Sequence, residues 1–325
     1  MSEPSTPAAE APPPTAPATN PLRGIFLKVA SVCVFMAMVT CIKLTAIHVP
    51  PGEIIFFRSF FALPVILGWL WYAHHLHDWL KTDNLAGHIW RGLVGCSAMA
   101  LSFTALGLLP LPEVTAIGYA APLLVTVLAA MFLGEVVRVY RLVAVLIGLA
   151  GVLIVLSPRL SVLTVEDTSK LETIGAMCAL MAAVFAALAQ VFVRKLVRTE
   201  KTMAIVFYFS LTGSVLALFT IPFGWVWPTP GEAALLVGAG LLGGLGQIML
   251  TESYRHAEVA VIAPFEYTSM LLALGIGYFA FTEIPTIPML IGAGLVVGAG
   301  LLIIYRERQL GLERGRARPA MTPQG

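Results

Sequence analysis

Charge is what this chain of 325 residues has least of. Asp, Glu, Lys and Arg make up only 12% of it, against 58% hydrophobic residues and a mean hydropathy of +0.88. A soluble domain carries about 25% charged residues. Half that share cannot cover the apolar surface of a water-soluble fold, which leaves a multi-span, all-α integral membrane protein. Cysteine is scarce as well. Cys33, Cys41, Cys96 and Cys178 all fall inside apolar stretches and read as small buried residues, not as a disulfide frame. A basic start followed by an apolar core is missing from the N-terminus, which excludes a secretory signal there. Residues 1–21 instead hold seven prolines and read as a disordered tail.

Catalytic signatures are missing too. Without a G-x-x-x-x-G-K-[ST] loop, ATP-driven pumping by this chain alone is disfavoured. Neither H-E-x-x-H nor G-x-S-x-G occurs, and all six histidines lie in loops or at span ends. An intramembrane enzyme therefore stands only as the rival from another class, and the expectation is no enzyme. No cofactor, metal or nucleic-acid partner is expected. The His74-His-Leu-His77 run, with Asp78 and His88 nearby, lacks the further ligands of a metal site and reads as a solvated loop.

What is present is a series of ten apolar spans: 24–46, 53–73, 89–109, 113–133, 141–157, 173–192, 203–221, 233–252, 259–279 and 287–305. At about 1.5 Å per residue these reach across roughly 30 Å of hydrocarbon, the fifth only with its interface residues. Lys and Arg favour one side sixteen to four, only Lys43, Arg58, Arg159 and Lys170 falling on the other. The positive-inside rule then puts both termini on the cytoplasmic side.

The chain also repeats itself. Glu113-Val-Thr-Ala-Ile is echoed by Glu258-Val-Ala-Val-Ile at an offset of 145 residues, and Glu135 by Glu283 at 148. A proline follows in each copy, Pro122 and Pro264, and each copy closes on a glycine-rich apolar helix, Gly151-Val-Leu-Ile and Gly300-Leu-Leu-Ile. Ile55-Phe-Phe-Arg58 falls opposite Ile205-Val-Phe-Tyr208 at an offset of 150. Five spans per copy, an odd number, would insert the second copy upside down. Inverted repeats are the usual build of secondary transporters, with the substrate near the midplane where the halves meet. The expected organisation is a tail (1–21), a first repeat (24–157), a periplasmic loop (158–172), a second repeat (173–305) and a basic cytoplasmic tail (306–325).

Gly134-Glu135 with Gly148 and Gly151, and Thr282-Glu283 with Gly292 to Gly300, make the chain resemble the EamA family of the drug/metabolite transporter superfamily over roughly residues 24–305. The resemblance implies a ten-helix carrier of small metabolites in the inner membrane of a bacterial cell. Glu53-Ile-Ile-Phe-Phe-Arg-Ser-Phe-Phe-Ala-Leu-Pro64 is similar to uptake carriers of riboflavin or S-adenosylmethionine. The expected cargo is thus a vitamin or cofactor-like compound such as riboflavin, with export of amino acids or drugs as the alternative. The expected partners are that solute, the lipid bilayer and a coupling proton or ion.

An ionisable group inside a span costs about 2.5–3.5 kcal/mol on insertion scales and marks a candidate site. Glu266 lies on the order of 11 Å deep, beside Pro264 and among Ile262, Ala263, Ser269, Met270 and Ala273. It reads as a carboxylate for a cationic group or a coupling proton, or as one neutralised by an interhelical hydrogen bond. Arg58 reads as a clamp for a carboxylate or a polar ring edge, ringed in sequence by Phe56, Phe57, Phe60 and Phe61, or as a snorkelling side chain. Tyr119 and Tyr267 hold equivalent places in the two repeats and suit a flat aromatic ligand or ordinary packing. Gln190 and Gln247 face a cavity or join two helices. Lys43 is expected to snorkel. Glu113, Glu135, Glu258 and Glu283 are expected to be structural, and the pairs Gly240/Gly244 and Gly294/Gly298 to be close helix contacts.

Overall fold

The computed structural model describes residues 21–72, 82–133, 139–160, 167–196, 199–256 and 263–316. Within them every regular element is helical. The first repeat contains α1 (Pro21–Thr45), α2 (Pro51–Phe60), α3 (Ala62–Tyr72), α4 (Leu85–Leu108), α5 (Leu111–Gly118), α6 (Ala120–Leu133) and α7 (Val139–Leu160). The second contains α8 (Asp167–Leu196), α9 (Thr202–Leu218), α10 (Pro230–His256), a 3-10 turn (Ala263–Tyr267), α11 (Thr268–Phe281) and α12 (Ile287–Arg316). Seven of these rods are long and apolar enough to cross a membrane, α2 and α3 counting as one, and three shorter apolar helices accompany them. Leu146, Leu153, Leu271, Phe279 and Ile291 are among many large apolar side chains left exposed on the outside. A surface of that kind is stable against lipid and not against water.

Proline sets the breaks. Pro64 and Pro122 offer no N–H to the carbonyls four residues back, Phe60 and Gly118. Helical hydrogen bonding falters at those points: α2 gives way to α3 at Phe61, and α5 to α6 at Tyr119. In the second repeat Pro264 sits inside the 3-10 turn that precedes α11. The carbonyl of Ala260, expected to be freed by Pro264, lies outside the described residues. Tyr119 and the Glu266-Tyr267 pair are thereby placed at helix discontinuities and not in smooth helix.

The helices pack in a pattern that is nearly unchanged when the two repeats are exchanged. α1 lies along α10 as α8 lies along α4, while α2 meets α9, α5 meets α11, and α7 meets α12. Small residues make these contacts close. α8 buries Ala176, Ala179, Ala183 and Ala187 on one face. A Cβ on Gly240 would stand 2.5 Å from Phe61 Cβ, and one on Gly244 would stand 2.9 Å from Val65 Cβ, so that pair packs α10 onto α2 and α3 as expected. Gly294 and Gly298 do not act this way, because among the described residues nothing lies within 4 Å of a Cβ built on either. The close contact between α7 and α12 is made by Gly151 and Gly292 instead, a Cβ on Gly151 standing 2.7 Å from the carbonyl oxygen of Gly292. GxxxG spacing alone did not show which face of α12 is covered. α7 and α8 also extend by 3 and 6 residues into the 158–172 stretch that the sequence reads as loop.

Candidate functional site

Lys28 is fully buried on α1, seven residues from its start, with 2% of its side chain exposed. A buried ammonium needs a counter-charge, and Glu266 of the second repeat supplies it: Lys28 Nζ donates to Glu266 Oε2. Glu266 itself stays 51% open. The pair thus has a covered cationic end and an accessible anionic end. Of the two readings of Glu266, the structure favours neither alone: it has an interhelical partner, yet half of it faces open space.

The tyrosines gather at the same place. Tyr119 and Tyr267 stand with ring centroids 5.1 Å apart at 57°. The Tyr119 hydroxyl shares a hydrogen bond with Ser269 Oγ and reaches the Glu266 carbonyl oxygen at 3.4 Å. The Tyr267 hydroxyl occupies the space beside Gly300 on α12, where any Cβ would collide with it. So Tyr119 from the first repeat and Glu266, Tyr267 and Ser269 from the second form one group, closed from below by Lys28. Met270 and Ala273, two of the expected neighbours of Glu266, are buried on α11, and Ile262 lies outside the described residues.

Arg58 belongs to a different cluster. It is 9% exposed, and its guanidinium carbon lies 5.5 Å from the ring centre of Phe209 on α9. That burial overturns snorkelling as its resting state. The four phenylalanines around it in sequence pair with one another. Phe56 stacks on Phe60 at 5.3 Å and Phe57 on Phe61 at 5.8 Å, as i, i+4 neighbours must. Gln190 is exposed on α8, and Gln247 is partly buried on α10.

Lys43 does not snorkel either. It is 9% exposed, pairs with Glu283 Oε1 at 2.8 Å and donates to the Leu109 carbonyl at 2.7 Å. Glu283 Oε2 accepts the Leu111 backbone N–H at 2.9 Å, capping α5. One carboxylate therefore ties α1, the start of α5 and the turn after α11 together. The structural role expected of Glu283 fits this geometry, though it joins the two repeats and not only its own two helices. Glu113 is buried in the first turn of α5. Glu135, Glu258 and the His74–His77 run lie outside the described residues, and among the described residues no group of His, Cys, Asp and Glu could hold a metal.

A further latch escaped the sequence reading. Glu200, in the turn between α8 and α9, accepts the backbone N–H groups of Asp83 and Asn84 at 3.1 Å each, and His88 Nε2 lies 3.5 Å from its other oxygen. Burial pushes its carboxyl upward. Hydrogen bonds from Thr82 and Asp83, with the His88 imidazole close by, outweigh that and hold it below the usual carboxylate range. A Glu next to a loop, with no motif around it, gave no signal. Lys28 gave only a weak one, since it stands one turn inside a span read from residue 24.

Comparison with known proteins places these features in a family. The profile of the EamA-like transporter family matches residues 22–157 and 173–305. The S-adenosylmethionine uptake transporter of Rickettsia felis is 29% identical over 257 residues, 79% of this chain and 84% of that protein. The pseudopaline exporter of Pseudomonas aeruginosa is 29% identical over 282 residues, 85% of this chain and 94% of that one. An uncharacterized transporter of Helicobacter pylori is 28% identical over 84% of this chain. One solved crystal structure superposes with a TM-score of 0.64 at 21% identity, over 88% of this chain and 97% of its own, and shares the fold.

Proposed function

Because this chain belongs to the EamA-like transporter family, we propose that it is a secondary active carrier in the bacterial inner membrane, moving a small organic metabolite by alternating access. The reading takes ten crossings, with α2–α3, α5–α6 and the 263–281 segment each counted as one. It takes the two five-helix repeats as inverted, with both termini cytoplasmic. The exchange-invariant packing of the helices supports a two-fold relation between the repeats.

The observation that carries the site is the Lys28–Glu266 pair. It joins the two repeats beside a break in the helix, and tyrosines from both repeats stand over it. A cationic group on the cargo competes with Lys28 for the open side of Glu266, and a flat ring lies against Tyr119 and Tyr267. Exchange of partners on Glu266, or its protonation, frees α1 from the second repeat and lets the halves rock. Glu266, Tyr119 and Tyr267 form the core of this site. Gln247, on the helix that packs along α1, and Gln190 are its outer polar groups.

Riboflavin draws no support from the relatives' names, whereas S-adenosylmethionine fits the chemistry: a sulfonium and an ammonium for Glu266, and a purine for the tyrosines. Uptake of such a cofactor-like cation is the first reading. Export is the second, favoured by the more complete match to the pseudopaline exporter. The test is purified protein in proteoliposomes with labelled S-adenosylmethionine. The reading expects accumulation or counterflow above protein-free liposomes, with the solute recovered intact. Recovery of a chemically altered solute would instead point to an enzyme.

A further inference from the structure

The second buried cluster has charge with no counter-charge. Arg58 on α2 and Arg91 on α4 both lie against Phe209, their guanidinium carbons 5.5 and 3.5 Å from its ring centre. Among the described residues, Arg58 Nε, Arg91 Nε and Arg91 Nη1 are buried without a hydrogen-bond partner, and so is the neighbouring Ser59 Oγ. Among the described residues neither guanidinium has an ion pair. Phe209 offers each a cation–π contact, but one ring face does not satisfy the five N–H donors of an arginine. Two like charges inside a span, each costly to hold there, are expected to have an anion between them for part of the working cycle.

Glycine lets this cluster pack closely. A Cβ on Gly95 would stand 2.7 Å from Phe209 Cε2 and 3.3 Å from Arg91 Nη1, and one on Gly243 would stand 3.5 Å from Arg58 Nε. A Cβ on Gly213 would stand 2.6 Å from Ser59 Oγ. Three glycines on three helices thus let two guanidiniums and a hydroxyl pack against bare backbone, where a larger residue would push them aside. Arg91 is only partly buried, so the cluster is not sealed. It also lies where α2 meets α9, one of the contacts shared by the two repeats.

We propose that Arg58, Arg91 and Ser59 form an oxyanion site, taking a carboxylate or phosphate group and separate from the Lys28–Glu266 site. Met38, which lies 3.1 Å from a Cβ on the same Gly243, is ten residues along α1 from Lys28. That spacing puts the two sites roughly 15 Å apart along the helix. As part of a carrier, which rests on the function proposed above, the site selects solutes bearing an anionic group as well as a cationic one. The planar fork of arginine suits a bidentate oxyanion, and Ser59 adds a further donor.

The experiment follows the thermal unfolding of purified full-length protein in detergent. Sodium succinate or sodium phosphate is titrated against sodium chloride at matched ionic strength. At saturation the oxyanion raises the midpoint by on the order of 5 °C over chloride. Succinate acting alone identifies a carboxylate of the solute, and phosphate acting alone identifies a phosphate group or the free inorganic ion. The shift disappears in Arg58→Gln and Arg91→Gln, and is reduced in Arg91→Lys, which keeps the charge and loses the fork. Without added oxyanion the Gln variants are no less stable than wild type, because each removes a buried unpaired charge. If neither anion shifts the wild type, or if the Gln variants shift equally, the proposal is overturned, and the wild-type titration decides it even where a variant fails to fold. No transport is needed for this readout. Oxyanion binding in a chain that moves no solute would count against the carrier reading alone, and transport without any oxyanion shift would count against this site alone.

Discussion

Removing the Glu266 charge should do two separable things. Glu266→Gln takes this carboxylate from an ammonium that is 2% exposed. Breaking a fully buried pair costs about 3–5 kcal/mol and an exposed one about 0–1. Glu266 is half open, so the expected loss is about 1–3 kcal/mol, which lowers the unfolding midpoint by on the order of 5 °C. Lys28→Met should cost less, because the carboxylate it leaves can be hydrated from its open side. The double variant should recover most of the loss of Glu266→Gln, since the buried charge goes with its partner. Function should divide differently. Glu266→Gln should lose uptake of a cationic solute or its pH response. Lys28→Met removes the competitor and should lower KM, by about tenfold for each 1.4 kcal/mol of competition relieved. Thermal unfolding in detergent and uptake into proteoliposomes, run on all four proteins, read both effects. A Glu266→Gln protein as stable as wild type and transporting at its rate would refute both the energetic and the functional part.

Glu283→Gln should destabilise more than Glu266→Gln, by about 3–5 kcal/mol, because both partners of the Lys43–Glu283 pair are largely buried; transport per folded molecule should stay near wild type. Gly300→Ala should displace the Tyr267 ring and weaken solute binding with little change in the unfolding midpoint, since the collision is with the far end of one side chain. Thr282 holds φ at 57°, so Thr282→Gly should stabilise by about 1 kcal/mol in the same unfolding assay. Glu200 has its carboxyl held below the ordinary range in the folded chain. Its stabilising contribution is therefore complete above the unfolded-state pKa and lost as pH falls through the lower folded value. Glu200→Gln should flatten that acid limb of a stability–pH profile.

The repeat was readable because it is written in residue types: Tyr119 and Tyr267, found as equivalents 148 residues apart, do meet in space. Glu266 was readable from depth alone. Lys28 was not: a span starting at 24 leaves it one turn, roughly 6 Å, from the edge and among the sixteen cytoplasmic-side charges, whereas α1 starts at Pro21. Arg91 was hidden by a boundary. A span starting at 89 leaves it at the membrane edge, whereas α4 starts at Leu85 and carries it nearly two turns inside. The partners of Arg58 were not readable at all. Phe209 lies 151 residues away, and no local pattern specifies which helix α2 will face. Gly294 and Gly298 show the same limit from the other side, since spacing made them look like a contact and the packing of α12 used Gly292.

The claim at the centre of this account is that the space beside Glu266 opens to one side of the membrane and then to the other. Ser269 lies against it, bonded to Tyr119. With Cys33, Cys41, Cys96 and Cys178 replaced, a Ser269→Cys protein in oriented vesicles can be probed with a membrane-impermeant maleimide added to either face. Alternating access predicts labelling from both faces, slowed on both by a transported solute. Labelling from one face only, or from neither, would contradict it.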